Sequence, residues 1–296
     1  MKWIKIKLLV LQVLVVSLGS NPVYANKEAN EGVFRQEGLV KIKNVKCIKQ
    51  FPELPTGCEA TTLTMLLNYH GVKVSKEEVA SSMPKCDVPY YKNGKRYGYH
   101  PSQAFIGSPY SVHSYGVFSE VIVKMLEYYC PKQVEDLKGK SLDELLKNIE
   151  EGRPVMIWAT IGMSQVSYKN SWIIDSKGTI FRWPGNEHAL LLVGYDKYYL
   201  YLNDPYTGKE QRYKRSLVEK RYNDLGKQAV SLNFAPSFLY EEKVIKEEQT
   251  QLERETEGDS QKEQSSSVCQ INEMVYWTKQ IIKEMKRSYD DNSVMK

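Results

Sequence analysis

The chain has 296 residues, 42% of them hydrophobic and 26% charged, which is enough apolar material for one sizeable core. Its formal charge of +5 draws on Lys2, Lys5 and Lys7, all within the first seven residues; the remainder is nearly balanced, which argues against a nucleic-acid partner held through phosphates. Five cysteines, at 47, 58, 86, 130 and 269, are odd in number and include no CxxC pair, so neither a disulfide framework nor a zinc ribbon is expected. No internal apolar run approaches the ~20 residues that cross a bilayer.

The first 25 residues read as an export signal. Three lysines precede the apolar stretch Leu8–Leu18, Gly19 to Pro22 break it, and Val23-Tyr24-Ala25 offers the small residues a signal peptidase reads, with cleavage after Ala25. Retention as a membrane anchor is the alternative. Residues 26–40 are polar and read as a leader. Residues 41–238 hold nearly all the Trp, Tyr and Gly and read as one domain. Residues 239–267 are a charged linker with few apolar residues. Residues 268–296 regain a helical apolar pattern through Ile271, Val275, Ile281, Ile282 and Met285. That terminal amphipathic helix fits docking on the main domain, or contact with a partner or a cell surface.

Within the domain, Cys58–His70 carries a broad apolar face and Gly71 ends it, so a helix is expected there. Ser75 and Glu78 form a capping box that opens a second helix. Tyr90–Gly116 reads as a long irregular loop. Val117–Tyr129 and Leu142–Glu150 read as helices, and Gly152-Arg153-Pro154 breaks the chain. Val155–Thr160, Phe181–Trp183, His188–Tyr195 and Tyr198–Leu202 read as strands, with Asp196-Lys197 turning the last pair. Helices first and an antiparallel sheet afterwards give an α+β class.

Cys58 is the first candidate for chemistry. It follows the turn Pro55-Thr56-Gly57 and opens a helix, where unpaired N–H groups and the dipole favour a thiolate and a lowered pKa. Gly57 would let a substrate approach the backbone. Glu59, though adjacent, is expected to point elsewhere on the helix. His188 opens an apolar strand, and Asp204 ends the next one. The midpoint of 188 and 204 is the turn at 196, so pairing would set the imidazole beside the acid that fixes its tautomer. The Cys58 N–H and the Gln50 amide are the candidate oxyanion donors. His70 reads as a capping or surface residue; His100 and His113 lie in the long loop with no metal-ligand spacing. Trp158 and Trp183 read as core.

These residues resemble a known family. Lys49-Gln50, Leu54-Pro-Thr-Gly-Cys-Glu-Ala-Thr-Thr-Leu, Pro101-Ser-Gln-Ala-Phe-Ile-Gly107, Ser114-Tyr-Gly-Val117, Gly152-Arg-Pro-Val155, His188-Ala-Leu-Leu-Leu-Val-Gly-Tyr-Asp196 and Asn203-Asp-Pro205 look like the C39-like peptidases, papain-like cysteine peptidases related to the processing domains of bacteriocin exporters. The resemblance covers roughly residues 41–235. It implies a papain-like fold with Cys58 as nucleophile, His188 as general base, Asp204 as orienting acid and Gln50 as oxyanion residue. Unlike exporter-linked members, this chain shows no ATPase or membrane-spanning region, so processing of a leader in step with export is not expected. The implied activity is hydrolysis of peptide bonds in a peptide or protein, outside the cell, with no cofactor and no metal. A hydrolase of peptide cross-links in the cell wall and a non-catalytic surface binding module are the alternatives.

Overall fold

The computed structural model describes residues 32–234. Contacts divide the chain into units at 1–239 and 240–296, and every described residue belongs to the first. The export signal, the charged linker, the terminal amphipathic helix and Cys269 all lie outside the described residues. Among those described, no helix is long and apolar enough to cross a membrane.

The chain enters through a hairpin, β1 (Val33–Gln36) and β2 (Leu39–Ile42), turned at Glu37 and Gly38. The end of the expected polar leader is therefore part of the folded unit, because β2 pairs with a strand of the main sheet. Helix α1 (Cys58–Tyr69) ends at His70, and Gly71 takes the left-handed conformation (φ 89°) that a helix terminus favours. Helix α2 (Lys76–Ser82) opens on the capping box of Ser75 and Glu78 that its sequence announced.

The stretch Tyr90–Gly116 differs from the expected irregular loop. After a two-residue strand β3 (Lys85–Cys86) come β4 (Tyr90–Lys92) and β5 (Lys95–Tyr97), a hairpin turned at Asn93-Gly94 with both residues at positive φ, and then β6 (Phe105–Ile106) paired in parallel to β3. The Asn-Gly pair is the sequence signal for such a turn. The strands it joins are three residues each and mostly exposed, so no apolar alternation advertises them.

Helix α3 (Ser119–Tyr129), strand β7 (Val134–Asp136) and helix α4 (Leu142–Glu150) follow, the last opened by a second capping box, Ser141 with Glu144. Then come β8 (Val155–Thr160), β9 (Asn170–Ile173), β10 (Ile180–Trp183), β11 (Glu187–Tyr195), β12 (Tyr199–Asp204), β13 (Lys209–Lys214), helix α5 (Arg215–Asp224) and β14 (Ala229–Leu232). The main sheet runs β1-β2-β11-β8-β14-β7, with β12 and β13 added beside β11. A smaller sheet runs β10-β9-β5-β4.

Strand β11 is the hub, pairing antiparallel with β8, β12 and β2. Both faces of the main sheet are covered, which is why β8 is buried at every residue instead of alternating. Met156 and Trp158 of β8, with Ala189, Leu191 and Val193 of β11, pack with α1 and α3. Val155, Ile157 and Ala159, with Leu190 and Leu192, pack with α4 and α5. This helix-covered antiparallel sheet is the expected α+β class.

Candidate active site

Cys58 is the first residue of α1, and the backbone at Gly57 caps that helix with no side-chain hydrogen bond. No cap side chain competes for the first-turn N–H groups, although the Glu59 carboxylate takes the Glu59 N–H. Gly57 is needed for a different reason from the one expected. A Cβ there would lie 2.6 Å from Leu54 Cβ, so glycine is dictated by the packing of the turn itself.

His188 and Asp204 meet. His188 Nε2 lies 2.7 Å from Asp204 Oδ1, and both side chains are buried. The register that brings them together is not the one the midpoint predicted. Leu191 faces Asn203 and Leu192 faces Leu202, with an irregularity between Leu192 and Gly194. Continued along the strands, that register sets Asp204 opposite Leu190. His188 is then its diagonal neighbour two residues on, within reach on the same face. Burial works against ionisation of Asp204. The hydrogen bond to His188 and the charge of its ring, with backbone N–H groups of Tyr206 and Thr207, outweigh it and hold the carboxyl below its ordinary value. Tyr206 also sets its ring edge-on to the imidazole, at 6.1 Å between centroids.

The thiol sits at the start of β11. The backbone of Ala189, the residue after His188, hydrogen-bonds Cys58 Sγ, so sulfur lies beside the peptide that carries the imidazole. With Nε2 engaged by Asp204, Nδ1 is the ring nitrogen left for the thiol. The side-chain hydrogen bond of Cys58 nevertheless goes elsewhere, from Sγ to Glu59 Oε2 at 3.1 Å. Glu59 therefore does not point away from Cys58, contrary to the expectation from their adjacency. Its other oxygen accepts the Val117 N–H at 2.7 Å, which draws the carboxylate back over the helix start.

The expected lowering of the Cys58 pKa is also overturned. Burial first, then the charges of Glu59 and Glu187, push the thiol well above its ordinary range. The helix dipole acts over the first turn but is worth little against two carboxylates and the loss of solvent. Burial pushes the Glu59 carboxyl up to about 7, and burial with the neighbouring Glu59 charge pushes Glu187 well up. Cys58 Sγ and one oxygen from each of Glu59 and Glu187 lie within 4.8 Å of one another, all buried.

Gln50 is buried, and its Nε2 donates to the carbonyls of Leu54 (3.1 Å) and Pro55 (3.2 Å). Both amide hydrogens are thus engaged by the turn that leads to Cys58. His70 is the C-cap of α1, but it is buried rather than at the surface: Nδ1 meets Leu66 O at 2.9 Å and the ring packs on Phe234. His100 lies among Phe118 and Phe181, and His113 is exposed. Trp158 is core and donates to Val117 O; Trp183 packs with Trp172 and Phe118. Cys47, Cys58, Cys86 and Cys130 are all unpaired thiols.

Sequence reasoning missed Glu187. The signal was present: an acid directly before His188, at the head of an otherwise apolar strand, alternates with His188 and shares the face of Ala189, which packs with α1.

A thiol at a helix start, a buried imidazole–carboxylate pair on adjoining antiparallel strands, and the covered sheet beneath them define an α+β papain-like fold. The chain belongs to the Peptidase_C39 like family, whose pattern it matches over residues 42–230. It is 34% identical over 179 residues to the uncharacterized protein YvpB of Bacillus subtilis (strain 168), covering 60% of this chain and 70% of that protein. A crystal structure described as that of a "putative C39-like peptidase" from Bacillus anthracis superposes with a TM-score of 0.60 at 32% identity, covering 66% of this chain and 96% of that one.

Proposed function

We propose that this protein is a cysteine peptidase in which Cys58 attacks a peptide carbonyl, His188 is its general base and Asp204 orients the ring. The observation that carries this reading is the buried His188–Asp204 pair, 2.7 Å apart, with His188 on the strand whose Ala189 backbone also touches Cys58 Sγ. Asp204 fixes the imidazole with Nε2 engaged and supports the imidazolium that forms when Nδ1 takes the thiol proton. The thiol must first turn from Glu59 toward the ring. The thiolate then adds to the carbonyl, and the oxygen that gains charge is met by the Cys58 N–H. Gln50 joins it only by giving up a carbonyl of the turn; otherwise its grip on Leu54 and Pro55 shapes the site. His188 returns its proton to the leaving amine, and water, activated by the same ring, clears the thioester.

The test is labelling of purified protein with a thiol-directed electrophile, located by peptide mass mapping and read beside hydrolysis of an unfolded protein. Cys58→Ala removes both signals, and His188→Ala slows labelling at Cys58. Labelling unchanged by His188→Ala overturns the assignment. Release of fragments from purified cell wall, compared with cleavage of unfolded protein, separates a wall cross-link hydrolase from a general peptidase. The reading includes export: cleavage after Ala25 leaves Asn26 as the first residue of secreted protein, which mass spectrometry of the culture fluid checks.

A further inference from the structure

Three acidic groups meet under the start of α1 with no positive charge among them. Cys58 Sγ, Glu59 and Glu187 place one ligand atom each within 4.8 Å of the others. Among the described residues, no lysine or arginine pairs with either carboxylate. Buried carboxylates ordinarily gain a cation or a full set of hydrogen bonds, because unpaired burial of charge is costly. Glu59 has its own N–H, the Val117 N–H and the thiol. Glu187 is 93% buried by its 7% exposure, and its Oε1 is buried with no hydrogen-bond partner among the described residues.

The main chain is shaped for two carboxylates side by side. A Cβ at residue 116 would lie 2.3 Å from Glu59 Oε1 and 3.0 Å from Glu187 Oε2, so Gly116 makes room for both. All three residues of the group are buried, Cys58 at 8% and Glu187 at 7% exposure.

We propose that Cys58, Glu59 and Glu187 form a binding site for a thiophilic divalent cation of the zinc class, which withholds Cys58 from reaction. The withholding rests on Cys58 being the nucleophile; the binding does not. One sulfur and two carboxylate oxygens suit zinc or cobalt better than calcium or magnesium, which favour all-oxygen shells. Bonds of ~2.0 to 2.3 Å set the ligand atoms of a tetrahedral ion ~3.5 Å apart, so side-chain shifts of about an ångström close the site. Binding forms one metal–sulfur and two metal–oxygen bonds. It displaces to solvent the thiol proton and any proton held by the carboxyls. His188 and Asp204 are not ligands, so the bound ion sequesters sulfur from the base while leaving that pair intact.

The experiment uses the full chain freed of metal with a chelator and titrated with cobalt(II) and then zinc(II). One equivalent of cobalt is expected to give a near-ultraviolet thiolate-to-cobalt charge-transfer band that zinc abolishes. Cys58→Ser removes the band, and Glu187→Gln weakens zinc binding at least tenfold in equilibrium dialysis. His188→Ala keeps the band. On unaltered protein, zinc suppresses labelling of Cys58 by iodoacetamide and a chelator restores it. Zinc that fails to bind, that binds equally to Glu187→Gln, or that leaves Cys58 labelling unchanged overturns the proposal. The band with no peptidase activity in metal-free protein sinks the peptidase reading alone; activity without the band sinks the metal site alone.

Discussion

Asp204 is the side chain whose chemistry is most exposed to a single-atom change. Asp204→Asn keeps the shape but offers an amide where the imidazole needs an anion, so the ring loses its fixed tautomer and the support of its charged form. Peptidase turnover is expected to fall ~10²- to 10⁴-fold, with substrate affinity nearly unchanged, as for loss of an oriented base. A KM that rises while kcat holds points instead to a binding role for Asp204. His70 gives the pH test. Burial lowers its pKa from 6.5 to about 4, so between those values the unfolded chain binds a proton that the folded one refuses. Stability is therefore full above pH 6.5 and is lost as the pH falls toward 4, by at most ~3 kcal/mol. Urea unfolding of the wild type across that range is expected to show the loss, and His70→Gln to be less stable at pH 7 with a flatter profile. At this scale the His188–Asp204 pair was legible because each of the two sits at an element boundary that residue types announce. The thiol's actual partner was not, since the turn of Glu59 toward Cys58 depends on the Val117 N–H, 58 positions away.

Helices with capping boxes are the elements the sequence declares most openly, and their ends carry measurable stability. In both boxes the serine oxygen takes the N–H of the third helical residue while the glutamate takes the serine N–H. Ser75→Ala or Ser141→Ala is expected to cost ~1 kcal/mol in chemical denaturation, with the Asp replacement recovering most of it. An unchanged midpoint for Ser141→Ala would mean that packing of Leu142, Leu145 and Ile149 alone sets that helix start. The start of α1 works otherwise, since it has no side-chain cap and its entering turn is fixed by contact of Gly57 with Leu54. Gly57→Ala forces that turn to shift together with the Gln50 amide that holds its carbonyls. The expectation is a loss of ~1 to 3 kcal/mol by overpacking, with slower labelling of Cys58 as the specific sign. The β4–β5 hairpin stayed illegible for the opposite reason: its strands are short and exposed, and only Asn93-Gly94 marked them.

The sheet's double cover ties distant parts of the molecule into one cooperative unit. Strands β8 and β11 send alternate residues to opposite helical layers, so the layer around α1 and the layer around α4 share the same backbone. From the sequence, these apolar runs were legible as strands; that both their faces are buried is a finding of the structure. The order of the strands across the sheet could not be read, because it depends on non-local pairings such as β2 with β11 and β14 with β8. If the layers are coupled through the sheet, a cavity in one must loosen the other. Leu145 of α4 is fully buried on the face away from α1, and Leu145→Ala is expected to cost ~2 to 5 kcal/mol. Heating should then show one transition, shifted equally whether followed by far-ultraviolet circular dichroism or by modification of Cys58 in the other layer, the site being read by peptide mapping. Cys58 modification that keeps its wild-type midpoint while the dichroism shifts would mean that the two layers melt independently. The candidate nucleophile would then be held by its own layer alone, and the sheet would not be the element that joins it to the rest of the molecule.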